Sequence, residues 1–91
     1  MKNETAERVL LDFYSEGCAP CKSMDKIISS LAEEPDFVEV RRIEASEAPE
    51  IFDRYDVERV PTLVFLKDGK EKGRISGVCG KRDVERLVTE G

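Results

Sequence analysis

Apolar and polar positions follow two rhythms along the chain, and the switches between them mark the elements. Residues 9–14 read VLLDFY, a strand-forming run interrupted by one acid, Asp12, which predicts a strand buried on both faces. Over residues 18–34 the period lengthens: Met24, Ile27, Ile28 and Leu31 recur at i, i+3, i+4 and i+7, the stripe of an amphipathic helix that ends near Pro35. Cys21 extends that stripe one turn toward the N-terminus. Residues 37–43 (FVEVRRI) show partial alternation with β-branched side chains and predict a second strand. Ser46 is placed to cap a short helix carrying Ile51, Phe52 and Tyr55, and RVPTLVFL then opens a third strand at Pro61. Asp68-Gly69 is a two-residue hairpin signal leading into a fourth strand over residues 71–76. Val84, Leu87 and Val88 give a closing amphipathic helix.

The resulting order, β-α-β-α-β-β-α, predicts an α/β fold with a four-stranded mixed sheet and helices on both faces. At 91 residues the chain has material for one core, so residues 1–91 are expected to form a single domain. The order also sets GCAPC at the carboxyl end of the first strand and the start of the first helix, where open α/β sheets build their sites.

Charge narrows the partners. Twenty acidic residues against 15 basic ones leave a net charge of −5, with Lys and Arg interleaved among Glu, which speaks against nucleic acid and anionic membrane. The longest apolar run is far below membrane length, and the opening MKNETAERVL has no apolar leader region, so export is not expected. Three cysteines, an odd number, do not make a disulfide scaffold; in a reducing compartment a cysteine pair points to metal or catalysis.

Three readings of Cys18 and Cys21 stand open: a redox dithiol, part of a metal site, or two inert buried thiols. A zinc site needs about four N or S ligands, and the chain offers only Cys79 besides this pair and no histidine. A redox dithiol has a physical rationale. Cys18 falls at the helix N-terminus, where unpaired N–H groups and the helix dipole stabilise a thiolate, and Cys21 sits one turn deeper on the apolar stripe. Pro20 suits the first helical turn, where its missing N–H costs nothing, and Lys22 adds a cation.

Taken together, VLLDFYSEGCAPCK, RVPTLVFLKDGK and GRISGV resemble the thioredoxin family, in order and at the right separations, over nearly the whole chain. The resemblance implies a thioredoxin-like fold and a protein-disulfide reductase, with Cys18 as the attacking thiol and Cys21 as the resolving one. It implies that Asp12, six residues before Cys18, is the family's buried acid and manages the Cys21 proton. A desolvated carboxyl with a raised pKa suits that role, against which stands a purely structural acid. Arg42 falls where thioredoxins usually carry a lysine facing this acid; an arginine cannot give up its proton and so holds Asp12 more firmly as an anion, unless it is merely a solvated charge on an edge strand. Pro61 resembles the family's cis-proline, Val60 the residue that pairs with substrate backbone, and Gly77 and Val78 the loop lining the substrate groove.

The sequence also departs from the family. Only eight residues precede the first strand, which predicts the loss of the extra strand and helix that begin a typical thioredoxin. Gly17 replaces the tryptophan before the first cysteine, Ala19 replaces glycine between the cysteines, and Lys26 replaces a helix-kinking proline. These changes touch the docking surface more than the thiol chemistry. Cys79 reads as a small apolar filler, with a mixed-disulfide role if it is exposed.

The expectation is a cytoplasmic, monomeric dithiol carrier that needs no cofactor or metal beyond its own disulfide. It acts on disulfide-containing proteins and is recycled by a separate reductase. A disulfide oxidant or isomerase of the same fold, and a non-catalytic binding module, are the alternatives.

Overall fold

The computed structural model describes residues 7–90; residues 1–6, which carry most of the start read as leaderless, and residue 91 lie outside them. Strand β1 (Arg8–Tyr14) is followed by helix α1 (Ala19–Ala32), β2 (Glu39–Glu44), α2 (Pro49–Arg54), β3 (Thr62–Lys67), β4 (Lys70–Ser76) and α3 (Lys81–Glu90). The sheet order is β2-β1-β3-β4, with β1 parallel to β2 and antiparallel to β3, and β3 antiparallel to β4. The four-stranded mixed sheet and its helices match the order of elements expected from the sequence.

Alternation within the two central strands divides the core. Leu10, Leu63 and Phe65 point to one face and pack against Met24, Ile28 and Leu31 of α1 and Val84 and Val88 of α3. Val9, Leu11, Phe13, Val64 and Leu66 point to the other and meet Val57 with Ile51 and Phe52 of α2. There Phe13 makes an edge-to-face contact with Phe52, ring centroids 4.9 Å apart, an arrangement the ring quadrupoles favour. Asp12 belongs to the α1/α3 face by the same alternation, and is the acid that the apolar run predicted would be buried.

Two local details differ from expectation. Residues 37 and 38 lie outside the second strand: Val38 is buried against the α1/α3 core, while the Phe37 N–H bonds the Glu34 carbonyl in the turn that leaves α1. Their apolar character reflects packing of this loop against the α1/α3 core, and strand pairing starts only at Val9–Glu39. Ser46 does not cap α2. The residue at that N-terminus is Ala48, which makes no side-chain cap, and the Ser46 hydroxyl donates instead to Glu44 Oε1 at 2.5 Å. A carboxylate is a stronger acceptor than any group the helix could offer a hydroxyl, whose cap would have to accept.

The hairpin turn Asp68-Gly69 has φ of 55° and 81°, the two positive values that a primed turn requires, and the Asp-Gly pair tolerates them. Gly73 on β4 allows a close approach of α3: a Cβ there would stand 2.9 Å from Leu87 Cδ1.

Candidate active site

β1 ends at Tyr14, and the chain turns through Gly17, at φ 79°, into Cys18 at the N-cap of α1. The extended backbone of Cys18 lets its Sγ accept the N–H of Cys21 at 3.1 Å, so one of the orphan donors in the first turn of the helix is aimed at sulfur. Pro20 sits in the first turn, where no N–H is needed. Cys18 and Cys21 form a disulfide, with Cα atoms 5.2 Å apart. Cys18 is half-buried, whereas Cys21 is 4% exposed and belongs to the inward stripe with Met24, Ile28 and Leu31. A pocket of about 290 Å³ opens beside the disulfide, lined among others by Tyr14, Gly17, Lys22, Asp25 and Arg42.

Asp12 lies one residue pair below this end of the sheet and is 2% exposed. Its Oδ2 is sealed from solvent and accepts no hydrogen bond. The nearest cation is Arg42, its register partner on β2, with Nε 3.4 Å from that oxygen, which is near enough to act through charge but too long for a good hydrogen bond. Burial pushes the Asp12 pKa above its ordinary value; Arg42 pulls it down and Asp25 pushes it up. Arg42 acts in the direction expected of it but is outweighed. Nor is it a buried cation dependent on Asp12: its side chain is 44% exposed, it donates to Asp25 Oδ1, and it lies 4.4 Å from the centroid of the Tyr14 ring.

The remaining site candidates arrive from the other side of β1. The Val60–Pro61 peptide bond is cis and Pro61 is buried. Because Thr62 pairs with both Phe13 and Ser76, Pro61 and Gly77 fall at the sheet end from which Cys18 departs, and the Gly77 N–H donates to the Pro61 carbonyl at 2.8 Å. Val78 is 58% exposed. These four residues do not line the pocket beside the disulfide; they form a separate pair of loops at the same end. Cys79 is half-buried against the α1/α3 core, its N–H 3.4 Å from Met24 Sδ, and burial with nearby Asp83 pushes its thiol pKa up, the behaviour of a packing residue. Among the described residues no cluster of three or more His, Cys, Asp or Glu is placed to hold a metal, and no helix is long and apolar enough to cross a membrane.

Two members of the cluster escaped the sequence reading. Tyr14 was read only as a strand residue. Asp25 was not singled out, yet it stands four residues after Cys21, on the same side of α1.

A dithiol at a helix N-terminus, on the carboxyl end of a central strand and with a cis-proline loop at the same end of the sheet, defines a thiol–disulfide exchange protein. The sequence profile of the thioredoxin family matches residues 2–90, and the chain belongs to that family. A thioredoxin of Chlamydia caviae is 35% identical over 82 residues, spanning 90% of this chain and 80% of the relative. Thioredoxin H-type 1 of Nicotiana tabacum is 34% identical over 87 residues, spanning 96% of this chain and 68% of its own. Among solved structures, a mutant thioredoxin from Halobacterium salinarum superposes with a TM-score of 0.86 at 31% identity, covering 92% of this chain and 74% of that one. The Fasciola hepatica thioredoxin gives 0.84 at 31% identity, covering 92% and 80%. The protein is a thiol–disulfide oxidoreductase that reduces protein disulfides by dithiol exchange at its Cys18–Cys21 pair.

Proposed function

We propose that the chain is a single-domain, monomeric cytoplasmic reductant in which Cys18 attacks and Cys21 resolves. The Cys18 thiolate displaces one sulfur of a target disulfide, which leaves as a thiolate, and a mixed disulfide forms. Cys21 then attacks Cys18 Sγ, releasing the second target thiolate and closing the Cys18–Cys21 disulfide; two electrons pass to the target. Asp12 takes the Cys21 proton. Val60 pairs with target backbone, Pro61, Gly77 and Val78 line the groove, and Ala19, Pro20 and Arg42 support the site. A separate disulfide reductase returns the pair to the dithiol, and no cofactor, metal, nucleic acid or membrane takes part.

The observation that carries this assignment is the Cys21 N–H aimed at the half-buried Cys18 Sγ while Cys21 itself is buried. It favours Cys18 as the accessible, stabilised thiolate and Cys21 as the thiol that acts only once a target is attached. The test is trapping on a disulfide-bearing protein such as insulin. Cys21→Ser is expected to accumulate a mixed disulfide through Cys18, and Cys18→Ser to accumulate little. Equal trapping by both variants, or trapping that needs Cys79, would contradict the two-thiol scheme.

A further inference from the structure

Arg42 has three neighbours and divides itself unequally among them. Its Nη2 donates to Asp25 Oδ1 and its guanidinium plane lies 4.4 Å from the centre of the Tyr14 ring, while its Nε stops 3.4 Å from Asp12 Oδ2. A guanidinium is a rigid planar fork, so engaging one edge at Asp25 and one face at Tyr14 fixes where the other donors point. The consequence is visible at Asp12: a carboxylate oxygen sealed from water, beside a cation with five N–H donors, accepts none of them.

We propose that Asp25 is a positioning residue that anchors Arg42 away from Asp12, keeping one oxygen of the buried acid without a donor and therefore ready to take up a proton. The proposal rests on reading Asp12 as the acceptor of the Cys21 proton. Asp25 is suited to couple the two, because it follows Cys21 by one helical turn and lines the pocket that holds Cys18, Cys21, Lys22 and Arg42. Without Asp25, the guanidinium is free to close on the oxygen that lacks a partner, where a charge-assisted bond is strongest because the surroundings are dry.

The groups around Asp12 support this account. β2 presents Arg42, and α1 carries Cys21, Lys22 and Asp25, which line the neighbouring pocket with Arg42. β3 sets Leu63 opposite it, α3 brings Val84 and Val88 to the same face, and the half-buried Cys79 packs against that core. Of the charged neighbours, Arg42 and Asp25 are those that act on the Asp12 carboxyl, in opposite directions.

The test follows the Asp12 carboxyl by carbon-13 NMR titration of the reduced protein, together with the pH profile of the exchange rate. Asp25→Ala is expected to lower the Asp12 midpoint by about one pH unit or more, the scale of a carboxylate gaining a close arginine. The acid limb of the rate profile should move with it. Asp25→Glu should restore the original midpoint, and in an Arg42→Leu background Asp25→Ala should lose most of its effect. An unmoved or raised midpoint in Asp25→Ala overturns the proposal. So does an equal drop in the Arg42→Leu background, which would mean direct repulsion between the two acids. Failure of the underlying reading shows elsewhere, as an unchanged exchange rate in Asp12→Asn, and the NMR titration of Asp25→Ala decides the anchoring independently of it.

Discussion

Two carboxylates are buried at the same end of the sheet, and their surroundings act on them in opposite ways. Asp12 on β1 and Glu44 on β2 are 2% and 7% exposed, and the Asp12 register partner, Arg42, is only two residues from Glu44. Glu44 Oε1 accepts the Ser46 N–H at 3.1 Å, the Ser46 hydroxyl at 2.5 Å and the Glu47 N–H at 3.1 Å. Those donors, led by the Ser46 hydroxyl, hold its pKa below the ordinary value. Asp12 Oδ2 has no donor, and burial drives its pKa up. Burial alone therefore does not decide what a carboxyl does. The number of N–H and O–H groups aimed at it decides whether it is held as an anion or favours its protonated form.

The widest separation between the two is expected in catalysis. Asp12→Asn should slow resolution of the mixed disulfide on the order of 10²-fold near neutral pH, the scale of one acid–base contribution. Glu44→Ala should leave the rate within about twofold. Stopped-flow reduction of a model disulfide measures both, and equal slowing would erase the distinction.

Stability is expected to separate them in the opposite sense. Asp12→Asn should raise the unfolding free energy by roughly 1–3 kcal/mol at neutral pH, because a neutral amide is cheaper to bury than a carboxylate without donors and Arg42 keeps Asp25. Glu44→Ala should lower the urea midpoint, since the Ser46 and Glu47 N–H groups lose their acceptor. The same melts repeated over roughly pH 3 to 8 should show slopes of opposite sign. Asp12 has a folded pKa above its ordinary 3.8, so its contribution is fully present below that value and is lost as pH rises through the folded pKa. Glu44 has a folded pKa below its ordinary 4.5, so its contribution is present above that value and is lost as pH falls through the folded pKa. Parallel slopes in the two difference curves would contradict the assignment.

The smallest effect sharpens the comparison from the donor side. Ser46→Ala removes the hydroxyl, one of the three donors on Glu44 Oε1, and should move the Glu44 titration midpoint up toward the ordinary value, leaving Asp12 and the exchange rate as they were. An NMR titration of the Glu44 carboxyl reads this directly.

Much of this arrangement was legible because it is written in local periodicity. Short strand-forming apolar runs located β1 and β3, the i, i+3, i+4 stripe located α1, and Cys18 and Cys21 fell on the helix start and the stripe because both positions follow from counting residues. Phe37 and Val38 misled for the same reason: two apolar residues before a strand look like the strand, and only packing under α1 shows that they precede it. Ser46 was misread because a hydroxyl that fits a helix cap fits a nearby carboxylate better, and that carboxylate sits on the preceding strand. Asp25 gave no signal at all, since its partner lies 17 residues away on another element.

The sequence by itself determined the order of elements, the two faces of the central strands and the placing of a dithiol at a helix N-terminus, because each depends on spacing along the chain. Tertiary structure alone decided which acid is left without a donor. That outcome depends on how one guanidinium is shared among Asp12, Asp25 and Tyr14, brought together from two strands and a helix, and a balance of charges and hydrogen bonds across space has no period for a sequence to display.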